Sequence, residues 1–169
     1  MGYTHYWTFQ QPKRGDAAKV EALYQKAVKD CAKIIRTYYE ANGGLSGYTA
    51  HTPIGTYGGL LVNGKGDDAH EDFSLREHFK QNFATTFYRE PGFNFCKTAR
   101  KPYDVVVTAC LIVLKHRLGD YIDVSSDGYQ HDWEAGLELA KRVLKLKTLT
   151  IPETIDKNKT YELIKGGKL

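Results

Sequence analysis

The sequence predicts an α+β domain, a largely antiparallel or mixed sheet with about three helices packed on it. Three observations carry that expectation. Residues 3–9, YTHYWTF, are β-branched and aromatic without a helical period. Residues 16–42 repeat apolar side chains at three- and four-residue steps. The order of elements read along the chain, β, α, β, β, β, α, β, α, is that of helices carried on such a sheet.

The first strand places Tyr3, His5, Trp7 and Phe9 on one face and Thr4, Tyr6 and Thr8 on the other. A helix then opens near Gly15, with Asp16 as its N-cap. It carries Val20, Leu23, Tyr24, Ala27, Cys31, Ile34, Ile35 and Tyr38 along one stripe. Asn42-Gly43-Gly44 stops it. Eight of the sixteen glycines fall between Gly43 and Gly66, so this stretch reads as turn-rich, with a strand at 57–62, a turn at Asn63-Gly64 and a second extended piece at 70–75. Residues 76–90 fit either a short helix or irregular structure. Pro91-Gly92 closes them, and 93–98 read as a strand. Pro102 is expected at the first position of a second helix, whose residues Val105 to Leu114 are apolar almost all round and therefore buried on most sides. Residues 121–124 read as a short strand. SSDG turns into a third helix beginning near Asp132, with Trp133, Leu137, Ala140 and Leu144 along one face. The tail has room for one short helix.

At 169 residues the chain is read as one compact domain, 1–147, followed by a basic C-terminal extension, 148–169. The net charge of +4 belongs to that end: residues 141–169 hold eight Lys/Arg against three Asp/Glu, so the other 140 residues carry −1. A solvated surface explains such a tail more simply than a nucleic-acid groove. No apolar run approaches the roughly 18 residues of a membrane span. The N-terminus lacks the basic and apolar regions of a secretory signal, so a cytoplasmic location is expected. Three cysteines without CxxC spacing argue against a disulfide framework or zinc ribbon.

Three stretches carry possible chemistry. In FCKTARKPYD, residues 95–104, Lys97, Arg100 and Lys101 precede a helix start, where free amides and the helix dipole favour an anion. Arg100 can hold phosphate bidentately. Asp104 as a helix cap beside solvated cations is the competing reading, and both stay open. In GKGDDAHEDF, residues 64–73, an extended HED would place His70 and Asp72 on one face, an imidazole held by a carboxylate, with Glu71 beside them. The GKS/T ending of a phosphate-binding P-loop is missing, and no metal-ligand spacing is recognisable. In SSDG, residues 125–128, Ser126 and Asp127 stand at a strand end. There they either form a turn and cap or hydrogen-bond a ribose or base edge. Cations, aromatics, two histidines and a ribose-capable carboxylate together make the inventory of a nucleotide-sized pocket. Nothing in the pattern suggests a Ser or Cys nucleophile.

GYTHYW at 2–7, the glycine loop leading to HEDF at 70–73, FCKTARKPYD at 95–104 and SDG at 126–128 resemble a family of small proteins encoded by bacteriophages and prophages. The resemblance spans residues 2 to about 145. It implies a phage setting, hence the host cytoplasm, and accessory proteins of that kind include many that bind or destroy nucleotide signals of host defence. The expected function is therefore binding of a small phosphorylated nucleotide, such as a cyclic-nucleotide or ADP-ribose-type immune signal, either sequestered or cleaved. For sequestration, Lys97 and Arg100 hold phosphate, Tyr3 or Trp7 stacks the base, and Glu71, Asp104, Ser126 and Asp127 complete the pocket. For cleavage, a metal-independent phosphodiesterase-like reaction uses His5 and His70 as base and acid, with Lys97 stabilising developing charge and no cofactor. The rival expectation is a macromolecular interaction protein that binds nucleic acid or a host protein through its basic surface. Self-association is compatible with either.

Overall fold

A computed structural model describes residues 2–53, 56–84 and 90–156. The expected extension from 157 onward and residues 85–89 of the ambiguous segment lie outside the described residues. The fold is α+β, with two small antiparallel three-stranded sheets where one was expected.

The first sheet has the order β5-β1-β6, from β1 (Thr4–Phe9), β5 (Phe93–Lys97) and β6 (Ile122–Ser126). Its central strand is the aromatic run read at the N-terminus. The alternation holds: Trp7 and Phe9 turn inward with Val124 and Ile122 opposite them, while Tyr6 and Thr8 stand on the outer face opposite Phe95 and Phe93. The second sheet, β2 (Leu45–Ser46), β3 (Leu60–Gly64) and β4 (Phe73–Leu75), buries Leu60, Val62, Phe73 and Leu75. Asn63 and Gly64 belong to β3 and not to a turn. Asn63 Oδ1 accepts the His70 amide and its Nδ2 donates to His70 O and Asp72 Oδ1, so this one side chain ties down the loop that follows. The turn itself falls later, as a 3₁₀ turn at Gly66–Asp68.

Among the described residues four helices accompany the sheets: α1 (Ala17–Asn42), the single turn α2 (Tyr48–His51), α3 (Asp104–Leu118) and α4 (Gln130–Leu144). Every residue from Val106 to Leu114 is buried, because α3 packs against both α1 and α4 and lies under β6. The crossing with α4 is close. A Cβ on Gly136 would come within 2.2 Å of Thr108 Oγ1 and 2.8 Å of the Ala109 amide nitrogen, so only glycine fits there. Leu149 and Ile155 are each 1 % exposed and join the same core. The chain beyond residue 147 thus continues to pack on the body through its described part. Among the described residues no helix is long and apolar enough to cross a membrane.

Candidate functional site

The sheet register creates the site. β1 and β6 pair antiparallel with His5 directly opposite Ser126, and opposed residues of an antiparallel pair point to the same face with Cβ atoms about 5 Å apart. The two side chains meet: His5 Nδ1 lies 2.8 Å from Ser126 Oγ. His5 Nε2 lies 2.6 Å from Asp104 Oδ1, at the first residue of α3. His5 is fully buried, whereas Ser126 is partly exposed.

The proton positions follow from the partners. Asp104 Oδ1 accepts from the Thr98 hydroxyl at 2.6 Å as well as facing His5, and an ionised carboxylate only accepts. His5 Nε2 therefore carries hydrogen and donates to Asp104. In neutral His5, Nδ1 is then the acceptor and Ser126 O–H the donor. Gly128 N–H donates to Ser126 Oγ at 2.9 Å, leaving the hydroxyl proton directed at the imidazole. Two rings clamp His5 edge-on: Tyr3 at 5.0 Å and Trp133 at 5.1 Å between centroids. Tyr3 Oη and Trp133 Nε1 are buried without a well-formed hydrogen bond, as is Trp7 Nε1 in the core, and the Asp104 carboxylate is the group that the Tyr3 hydroxyl addresses. Burial, then the carboxylates of Asp104 and Asp132, push the Tyr3 phenol far above its ordinary pKa, so it stays protonated and a donor.

Arg100 closes the cluster from outside. Its guanidinium lies 4.1 Å from the centre of the Tyr3 ring and its Nη1 donates to Asp132 Oδ1 at 2.6 Å. The bond to Asp132 raises the Arg100 pKa further. Burial alone would raise that of Asp132; hydrogen bonds from Arg100 and the Tyr129 amide outweigh it and hold the carboxyl below its usual range. Arg100 gets there through a strained turn. Ala99 and Arg100 have φ of 50° and 58°, and Lys101 N–H donates to Thr98 O at 3.0 Å. This is the geometry of a type I′ turn, normally built from Asn and Gly. The turn delays α3, which begins at Asp104 and not at Pro102 as expected. The anion-binding amides foreseen after a helical Pro102 are accordingly not what the segment presents: the Asp104 amide bonds to Lys101 O, and the Asp104 carboxylate itself occupies the helix start.

Of the residues singled out in the sequence, Tyr3, His5, Arg100, Asp104 and Ser126 come together here. Asp127 adjoins them as a brace: its Oδ2 accepts the Thr4 amide at 3.0 Å and its amide donates to Thr4 O. Others are placed elsewhere. Lys97 pairs with Thr4 on the outer face of the sheet, opposite to His5, with its side chain beside Gly2. Trp7 is 2 % exposed in the core against Phe73. Glu71 caps the edge of β5, its Oε2 accepting the Lys97 amide and its own amide donating to Lys97 O. His70 is exposed on the loop that Asn63 ties down, and its expected pairing with Asp72 gives way to the bond between Asp72 and Asn63. Lys101 Nζ is anchored on Asp67 O. Sequence reasoning missed Thr98, Asp132 and Trp133 as members. It also missed Tyr129 and His131, whose rings lie nearly parallel 5.6 Å apart beside Asp132. The aromatic-rich start of α4 next to SSDG was the available signal.

The main cavities lie elsewhere: about 530 Å³ bordered by Leu60, Leu75, Arg76 and Glu77, and about 450 Å³ bordered by Ala17, Glu21, His78 and Phe79. Size favours these and chemistry favours the cluster, because neither joins a buried imidazole to both a hydroxyl and a carboxylate. Among the described residues no three His, Cys, Asp or Glu side chains converge as a metal site. Compared with family models, curated proteins and solved structures, the chain matches none.

Proposed function

We propose that the protein binds and hydrolyses a small phosphorylated nucleotide at the cluster around His5. The observation that carries this reading is the Ser126–His5–Asp104 hydrogen-bond chain, with a buried imidazole whose two nitrogens face a hydroxyl and a carboxylate. That arrangement fixes one tautomer and gives a proton a defined path, which a purely binding pocket does not need. Arg100, with its side chain 55 % exposed, supplies the charge that a phosphate meets first. The Tyr129 and His131 rings offer a flat surface at the rim, in place of Tyr3 and Trp7, which are buried.

The charge around the cluster weighs against tight sequestration of an anion. Around His5, Arg100 is already paired with Asp132, and Asp104 and Asp127 add two more carboxylates. A ground-state anion has to compete with these for the guanidinium. The resemblance to phage accessory proteins supports a host-defence signal, of the cyclic-nucleotide or ADP-ribose type, as the substrate. Incubating the protein with a panel of such nucleotides and chromatographing the denatured mixture tests the reading. Converted nucleotide is expected, intact nucleotide released on denaturation would reduce the activity to sequestration, and no binding at micromolar concentration would overturn both.

A second reading, binding of single-stranded nucleic acid, is supported by the outer face of the first sheet. Tyr6, Phe93 and Phe95 stand there at ring spacings of 6.3 and 6.4 Å, with Phe95 38 % exposed and Lys97 on the same face. Aromatics on an open sheet are a base-stacking platform. It ranks second because Asp123 and Asp127 border the same face. Its signature is an affinity that falls steeply with salt and is lost on Phe95→Ala.

A further inference from the structure

We propose that Ser126 is the nucleophile of this site, activated by His5 and positioned through Asp104. Three features beyond the hydrogen-bond chain support it. Ser126 is the last residue of β6, two residues before Gly128 and four before α4, so its side chain stands at a sharp strand-to-helix corner. That corner is held rigidly. Asp127 exchanges backbone and side-chain hydrogen bonds with Thr4, and the Tyr3 ring packs so closely on Gly128 that an added Cβ would lie 2.6 Å from it. Finally, Ser126 is partly exposed, as is Asp104, whereas His5 between them is fully buried, so the serine end of the chain borders solvent.

The inference rests on the proposed phosphorylated ligand for the identity of the bond cleaved, not for the reactivity of the serine. As Ser126 Oγ bonds to phosphorus, its proton passes to His5 Nδ1. The resulting imidazolium is balanced by Asp104 across Nε2–H. The P–O bond to the leaving group breaks, and the departing oxygen takes the proton from Nδ1. Water then attacks the phosphoserine, giving its proton to Nδ1; the P–Oγ bond breaks and Oγ recovers the proton. Water is the only co-reactant and the net result is hydrolysis. Arg100, stacked on the ring that packs against Gly128, brings a cation to the side of this corner.

A fluorophosphonate probe tests the nucleophile without any nucleotide. Intact mass spectrometry and peptide mapping of the full chain should show one adduct, on Ser126, formed with loss of fluoride. Labelling should be absent in Ser126→Ala and slower by about 100-fold or more in His5→Gln, the range expected when a general base is removed. Ser126→Cys provides a second measurement that does not depend on tolerance of the His5 variant. Cys31, Cys96 and Cys110 are all buried, so iodoacetamide should modify only the introduced thiol, faster than it modifies free cysteine. An unlabelled Ser126 in a protein of unchanged circular dichroism, or a thiol at 126 no more reactive than free cysteine, would overturn the proposal. The two readings fail separately. Adduct formation in a protein that binds no nucleotide upholds the nucleophile and sinks the ligand class, and nucleotide turnover that survives Ser126→Ala does the reverse.

Discussion

Ala99 and Arg100 hold backbone angles that L residues avoid, and the cost is carried for the sake of where Arg100 ends up. With φ of 50° at Ala99, the Cβ penalty is about 1 kcal/mol. Ala99→Gly removes it and gives back part through the freer unfolded chain. A gain of a few tenths to about 1 kcal/mol is expected, read as a melting temperature higher by about 1–3 °C. Arg100 anchors to Asp132, whose carboxyl is held below its usual range. A folded-state pKa below the unfolded one adds stability that is complete above the unfolded value, near 3.8, and disappears as pH falls through the lower folded value. Melting curves of wild type and Asp132→Asn should therefore differ at pH values above that unfolded value and converge in stronger acid. A difference that vanishes at higher pH would show that the pair contributes nothing.

Helix and strand identities were largely legible in the sequence, and their pairings were not. The three- and four-residue spacing through Val20, Tyr24, Cys31 and Ile35 marked α1, and the unbroken apolar run marked α3 as an interior helix, both as found. The face shared by Tyr3, His5, Trp7 and Phe9 was also correct, because alternation depends only on local backbone geometry. What no local pattern encodes is which residue of β6 lies opposite His5. That register brings the hydroxyl to the imidazole, and without it Ser126 read as a turn residue. The boundary of β3 shifted for a similar reason, since the pairing of Asn63 with Ser46 is decided across the chain, whereas α3 was delayed by a local turn whose Ala-Arg centre carries no Asn-Gly signal. The α3–α4 crossing gives this scale its prediction. Gly136→Ala forces a methyl into Thr108 Oγ1 and the Ala109 backbone. The helices must separate at a cost of about 1–3 kcal/mol, measurable as a lowered denaturant midpoint with Trp133 fluorescence as the reporter.

At the scale of the molecule, the core extends past the expected domain boundary. Chains ending after Lys147 lose Leu149 and Ile155, two buried side chains worth about 1.5–3 kcal/mol each. Relative to a chain ending after Asp156, they are expected to lose about 3 kcal/mol or more in chemical denaturation. Any test of the basic C-terminus should accordingly begin its deletion at Lys157, so that lost binding is not mistaken for lost folding. The strand order β5-β1-β6 has a temporal side as well. β1 is made before both of its partners, whose paired residues follow 85 to 121 positions later, with His5 and Ser126 separated by 121. At roughly 5–20 residues per second, an aromatic, β-prone segment waits about 4–18 s for its first neighbour and about 6–24 s for both. The nascent chain therefore depends on β1 being shielded early, by α1 folding back on it, and the contact between His5 and Ser126 can form only once β6 has been made.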